Sequence, residues 1–197
     1  MPKVVDHDQR RVELVGATWR IIARDGLGGA TMREIAAEAG FANGALKPYF
    51  PSKEHLLTFA FEHVFQETNK RIVKATRNNR GLAALRVFCH EVLPLDDEKQ
   101  SEARIVIAFW QRALADASKS ALHEQSVEQW REQILVHLRH ARASGETGPA
   151  TKDEEFAAVL LNMLLGAQIS VSLSPGTSTP AQLMSQLDAL LGLIRSS

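Results

Sequence analysis

The chain has 197 residues, 45% hydrophobic and 23% charged, and its 23 Lys and Arg balance 23 Asp and Glu for a formal net charge of +0. That length can bury one substantial core, or a small domain fused to a larger one. The charge balance excludes a polybasic membrane binder or a non-specific nucleic-acid coat, but not a sequence-specific binder, which needs only a few cations aimed at phosphates.

Strand signals are nearly absent, and helix punctuation runs the length of the chain. Residues Gln9–Asp25 place Val12, Val15, Trp19, Ile22 and Ala23 on one helical face, which ends at Gly26. The following Gly26-Leu-Gly-Gly29 turn leaves a helix rather than a strand, so no phosphate-cradling loop is expected there. Thr31-Met-Arg-Glu34 has the form of a capping box, opening a short helix with Ile35, Ala36 and Ala39 on one side and Gly40 as its stop. A very short segment, Asn43–Phe50, follows. Pro51-Ser52-Lys53-Glu54 then starts a long helix with Leu57, Phe61, Val64, Phe65, Thr68 and Ile72 along one face, fraying at Asn78-Asn79.

Residues Leu82–Leu93 read as a helix up to Pro94. This stretch holds the single cysteine, Cys89, which can form no internal disulfide and reads as a small buried hydrophobe in a reducing compartment. The charged turn Asp96–Lys99 leads to a helix carrying Val106, Phe109, Trp110 and Ala113. Another spans Ser120–Ser144 with Val127, Trp130, Ile134, Leu138 and Ala141, closed by the Gly145–Gly148 turn. His137 and His140 share a face of it, but without a third ligand they read as solvent-facing, and no metal site is expected.

Thr151 caps the next helix. From Phe156 to Leu187 there is no charged residue, but Asn162, Gln168, Ser170 and Ser172 interrupt the run. It reads as a helix buried on several faces by protein rather than a membrane span. After the break at Ser174–Ser178, Thr179-Pro180 starts a last helix with Leu183, Leu187, Leu190 and Ile194 at helical spacing. No apolar leader is visible at the N-terminus, so a cytoplasmic protein is expected. The fold class is all-α, about nine helices: an N-terminal three-helix helix-turn-helix domain over 8–52, with its motif at 31–50, and a C-terminal helical domain over 53–197.

The motif carries the functional signal. Two short helices with a glycine between them form a helix-turn-helix, whose second helix enters the major groove. Ala36 and Ala39 permit a close crossing, Gly40 permits the turn, and Ile35 and Leu46 can be buried beneath it.

The run Thr31-Met-Arg-Glu-Ile-Ala-Ala-Glu-Ala-Gly40, with Phe41-Ala-Asn-Gly-Ala-Leu46 and Tyr49-Phe50-Pro-Ser-Lys53-Glu-His-Leu56, resembles the DNA-binding domain of the TetR family over about Arg10–Leu57. The remainder resembles the BetI-like branch of that family, chiefly through Ser101–Ala115 with Trp130-Arg131. Three positions depart from the family pattern. Ala42 stands where a hydroxyl residue is usual, with Asn43 available to cap one residue later. Lys47 stands where a phosphate-touching tyrosine is common, and it can still contact phosphate as a point charge. Pro48 removes an amide from a very short helix and is expected to end it early.

The resemblance implies a homodimeric repressor that binds near-palindromic double-stranded operator DNA and leaves it on binding a small-molecule effector. It places Thr31, Arg33, Lys47, Tyr49 and Lys53 at phosphate or sugar and Asn43 and Ala45 at the base edges, with Gly44 between them in the DNA-binding surface. Phe50 is expected in the core. The effector pocket falls among the middle helices, with Phe88, Phe109, Trp110, His123, Trp130, Asn162 and Met163 as candidates. Trp110 and Trp130 suit a quaternary ammonium compound by cation–π attraction. The last two helices are expected to pair with their symmetry mates through Leu164, Gln168, Val171, Leu183, Leu187 and Leu190. No cofactor and no membrane partner is expected. An enzyme is the remote alternative, since no nucleophile elbow, metal-binding helix motif or phosphate loop appears. A helical DNA-binding or protein-interaction module without an effector is the nearer one.

Overall fold

The computed structural model describes residues 7–42, 44–148 and 152–195, apart from the side chains of 7, 8, 23 and 27; Ala23 of the expected first face therefore lies outside the described side chains. Eight α-helices follow one another: α1 (His7–Gly29), α2 (Met32–Glu38), α3 (Lys53–Thr76), α4 (Gly81–Val92), α5 (Asp97–Ala113), α6 (Ala117–Ala143), α7 (Asp153–Leu173) and α8 (Pro180–Gly192). The segment 44–49 winds as consecutive turns between α2 and α3, and with it the helical pieces number nine. Among the described residues the extended pairing is a single bridge, Thr147 to Arg195.

Local chemistry sets most boundaries. In α1 the backbone leaves helical geometry at Gly26 (φ 70°, ψ −179°), where the sequence reading ended the helix. Its buried face is Leu14, Val15, Thr18, Ile21 and Ile22, rotated from the expected stripe, so that Val12 is 37% exposed and Trp19 only half-buried. Helix α6 begins three residues ahead of the expected Ser120, because Asp116 Oδ1 accepts hydrogen bonds from the amides of Ser118 (3.0 Å) and Lys119 (3.2 Å). Thr151 lies outside the described residues, and Lys152 occupies the N-cap of α7 without a side-chain cap. At α8, Thr179 and Gln182 close a capping box with Pro180 in the first turn.

The interior divides into two cores. One collects α1, α2, Leu46 and Phe50, the first half of α3, and Ile105, Ala108 and Phe109 of α5. The other collects Ile72 of α3 with the apolar faces of α4, α6, α7 and α8. Helix α3 thus carries side chains of both. Helix α7 is long and apolar enough to cross a membrane by length and composition, yet it packs against α5 and α6 with 44% of its most apolar window buried. Cys89 is fully buried in the second core, where desolvation pushes its thiol pKa up and leaves it a packing side chain.

Candidate nucleic-acid interface and internal cavity

The first surface is built on the turn after α2. Gly40 sits at φ 73°, a left-handed conformation that a side chain would strain, and turns the chain out of α2. Phe41 N–H returns to the Ala36 carbonyl (2.8 Å) and seals the turn. Beyond it the amides of Ala45, Lys47 and Tyr49 donate to carbonyls three residues back, at 3.0, 3.4 and 2.9 Å. Pro48 contributes no amide to this series, and the segment stays a run of tight turns rather than an α-helix, as the proline led us to expect. Leu46 and Phe50 anchor it, at 2% and 1% exposure. Lys47 and Gly44 face outward, Ala45 and Tyr49 are half-buried, and Tyr49 meets the ring of Phe41 edge-on at 5.9 Å. Asn43 lies outside the described residues.

Two helix starts flank this segment. At α2, Thr31 Oγ1 donates to Glu34 Oε2 (2.6 Å) and accepts from Glu34 N–H (3.2 Å), while Thr31 N–H donates to the same carboxylate (3.1 Å). These bonds hold the Glu34 carboxyl below its usual range. Thr31 N–H is shared with the Gly29 carbonyl (2.9 Å), so both Thr31 donors are spent within the protein, and what Thr31 contributes is the placement of α2 and of the exposed Arg33 beside it. Helix α2 is clamped to α1 through Glu38, which accepts from Arg20 (2.7 Å) and Arg24 (3.4 Å). At α3, Ser52 caps the helix and Lys53 is half-buried, its ammonium pKa lowered by desolvation and then by nearby Arg112. The neighbouring Glu54 lies 3.4 Å from Arg112 at the end of α5 and 3.6 Å from Lys119 at the start of α6.

The second feature is a cavity of about 50 Å³ enclosed by α3, α5 and α6, with Val92 of α4 and Leu165 and Gln168 of α7 closing it. On the usual scale this holds roughly three to five water molecules. Three of the expected pocket residues, Trp110, His123 and Trp130, line it. Phe109 and Phe88 stand one ring behind the wall. Phe109 stacks on the wall residue Phe61 (4.0 Å, 8°), and Phe88 meets Trp130 edge-on at 6.3 Å. Asn162 is exposed on α7, and Met163 packs against the second core. Conversely Gln168, expected at a dimer interface, lines the cavity and donates to the Val92 carbonyl at 3.0 Å.

The charged part of the wall is not among the residues expected from the sequence. Glu102 is 5% exposed and receives both guanidinium arms of Arg71, at 3.0 and 2.8 Å. Burial still holds the Glu102 carboxyl above its usual range, with Arg71 opposing that shift. Lys99 also lines the cavity, with its ammonium 3.5 Å from Glu91 and 3.4 Å from Asp96. The signal was present: Glu102, Val106 and Phe109 share one face of α5 at helical spacing. Outside the cavity an open groove runs between α3 and α6, and Phe65 and Ser126 belong to both walls.

The remaining residues expected at a dimer interface are used inside the chain. Leu164, Val171, Leu183 and Leu187 are all buried in the second core, and Leu190 is half-buried against it. The apolar side chains that α7 leaves exposed are Val159 (52%), Ile169 (43%) and Leu173 (78%), joined by Leu193 (80%) after α8. His137 is half-buried beside Phe88 rather than solvent-facing, and His140 is exposed. Among the described residues no three His, Cys, Asp or Glu side chains converge on a metal-sized site.

A capped helix-turn-helix joined by one long helix to an all-helical body with an internal cavity is the plan of a DNA-binding regulator. Residues 14–58 match the family described as bacterial regulatory proteins, tetR family, and residues 82–195 match the BetI-type transcriptional repressor, C-terminal. The chain belongs to the TetR family, with a BetI-type C-terminal region: it is a DNA-binding transcriptional regulator and not an enzyme. It is similar to the HTH-type transcriptional regulator BetI of Burkholderia cenocepacia, 28% identical over 183 residues and 89% of both chains. The regulator PksA of Bacillus subtilis is 37% identical over 110 residues, about half of each chain (55% and 54%). A transcriptional regulator from a Rhodococcus species superposes with a TM-score of 0.81 at 28% identity, covering 93% of this chain and 95% of that one. A regulator from Saccharomonospora viridis, solved in complex with choline, shares the fold with a TM-score of 0.88 at 20% identity, over 96% and 100% of the chains.

Proposed function

We propose that the protein is a cytoplasmic homodimeric repressor that holds a near-palindromic operator and releases it when a small molecule enters the cavity. One observation carries this reading: α3 begins in the DNA-binding face at Ser52 and Lys53, and four side chains farther along it, Phe61, Val64, Phe65 and Thr68, form a wall of the cavity. A ligand larger than the enclosed space has to move a wall, and α3 is the wall that leads to the DNA. The same displacement reaches Lys53 by a second route, because Glu54 is tied to the ends of α5 and α6. Ligand binding then favours a spacing of the two recognition segments that no longer matches successive grooves. The cavity favours this reading over a DNA-binding module without an effector.

On the DNA, Arg33, Lys47, Tyr49 and Lys53 contact phosphate or sugar, Thr31 positions α2, and Asn43 and Ala45 meet the base edges with Gly44 between them. The division of labour is residues 8–52 for DNA and 53–197 for effector and dimer, with α3 serving both. The exposed apolar side chains of α7, Val159, Ile169 and Leu173, meet the partner subunit. Choline, which the Saccharomonospora viridis regulator holds, serves as a first probe.

The test is a fluorescence-anisotropy titration against DNA from just upstream of the protein's own gene, beside scrambled DNA at one salt concentration. The reading expects tight binding to the first only. Lys47→Ala should weaken it and lower the slope of log affinity against log salt by about one. Equal weak binding to both DNAs would refute a local operator.

A further inference from the structure

The cavity's polar groups differ in how much of their hydrogen-bonding capacity is already used. Its two charged side chains are compensated from inside the protein: Glu102 by both arms of Arg71, and Lys99 by Glu91 and Asp96. Trp130 Nε1–H is spent on Asn69 (3.1 Å), and Ser126 Oγ–H on the Leu122 carbonyl (2.9 Å). Trp110 Nε1–H donates to His123 Nδ1 at 3.1 Å, which fixes the tautomer and leaves the hydrogen of a neutral imidazole on Nε2. Burial lowers the pKa of His123, so the ring is neutral at neutral pH. What remains open is two neutral donors, His123 Nε2–H and the hydroxyl hydrogen of Thr68, whose oxygen accepts from Arg71 (3.0 Å), and one neutral acceptor, Gln168 Oε1, in a wall otherwise mostly aromatic and aliphatic.

We infer that the effector is a small neutral compound with an aliphatic or aromatic body and one hydroxyl or carbonyl group, rather than a quaternary ammonium ion. A cation entering this cavity meets no uncommitted carboxylate; the faces of Trp110 and Trp130 attract it, but that attraction is smaller than the hydration it gives up without a counter-charge. A hydroxyl or carbonyl oxygen instead accepts from His123 Nε2–H, and a hydroxyl hydrogen reaches Gln168, while the body fills the space between Trp110, Trp130 and Val106. This inference rests on the cavity being the effector site.

Choline and 3,3-dimethyl-1-butanol make the decisive pair, since they have the same shape and differ in carbon for charged nitrogen. Both are titrated into the full-length protein by calorimetry, with tryptophan fluorescence following Trp110 and Trp130, and the operator anisotropy assay is run in parallel. The neutral alcohol is expected to bind at least tenfold more tightly than choline. His123→Leu in a Trp110→Phe background, where no indole N–H is stranded, should weaken the alcohol about fivefold against Trp110→Phe alone, the effect of one lost hydrogen bond, with operator affinity showing that the variant is folded. Choline binding equally or more tightly, or no binding of the alcohol, would overturn the inference. If the alcohol binds and leaves operator affinity unmoved, the ligand class stands and the release mechanism fails. If choline alone binds and frees the operator, the mechanism stands and the ligand class is overturned.

Discussion

Replacing Arg71 by methionine isolates the energetics of the buried ion pair at the cavity wall. Met keeps most of the stem's packing and removes the guanidinium, leaving the Glu102 side chain, 7% exposed, without its partner. An unpartnered buried carboxylate costs about 3–5 kcal/mol, but the carboxyl can escape by taking up a proton. A carboxyl ionising at about 4.3 in the unfolded chain costs about 1.36 kcal/mol per pH unit to keep protonated, which caps the penalty at roughly 3.5 kcal/mol at pH 7. The sign follows from linkage. Burial raises the folded-state pKa of Glu102, so the penalty vanishes below the unfolded pKa, where both states hold the proton, and grows as pH rises above it. Urea or thermal unfolding of Arg71→Met against the parent, at one protein concentration, should show a loss of roughly 10 °C at pH 7 and little at pH 4. Adding Glu102→Leu removes the stranded group and should recover most of the loss. A deficit independent of pH, or a double variant no more stable than the single, would refute this account of the wall.

Three further outcomes follow from the geometry. Thr31→Ala removes the capping hydroxyl of α2 and should cost about 1 kcal/mol in unfolding experiments, with a matching drop in operator affinity because α2 supports the turn segment. The Asp116 carboxyl, bonded by the Lys119 ammonium and by backbone amides, has its pKa lowered to about 2. Its capping of α6 should therefore persist as pH falls and be lost only through that value, which carboxyl chemical shifts in an NMR titration would report. Ile169→Glu, on the exposed apolar face of α7, should raise the dimer dissociation constant at least tenfold in analytical ultracentrifugation.

The head of the molecule was legible because its signals are local. A capping box is a spacing of Thr31 and Glu34, a helix stop is Gly40, and a truncated recognition segment is Pro48, and each reappears in the structure as a hydrogen bond, a backbone angle or a missing amide. The cavity was half legible. Trp110, His123 and Trp130 follow from the resemblance, which puts the pocket among the middle helices, but Phe88 and Phe109 follow from it equally and stand behind the wall. Which ring faces the void depends on helix rotation by a fraction of a turn, and hydrophobic spacing does not resolve that. Glu102 was passed over because a charged residue in a helix reads as a solvated face, and its partner Arg71 is 31 positions away.

Helix α7 shows the limit most directly. A helix with charge on one side declares its inner face, but α7 carries none from Phe156 onward, so every stripe along it looks equally fit for burial. Leu164 and Val171 were the obvious interface candidates because they are large and apolar, and for the same reason the chain packs them into its own core. What distinguishes the second face is the mixture that remains outside: Val159 and Ile169 with Asn162 between them and Leu173 beyond, too apolar for a solvated surface and too polar for an interior. Such a mixture is what a subunit contact tolerates, since even a buried interface is less uniformly apolar than a core. The residues that hold two copies together are therefore to be sought among those the core leaves over, and a strongly apolar position is weak evidence for an interface wherever its own domain can claim it first.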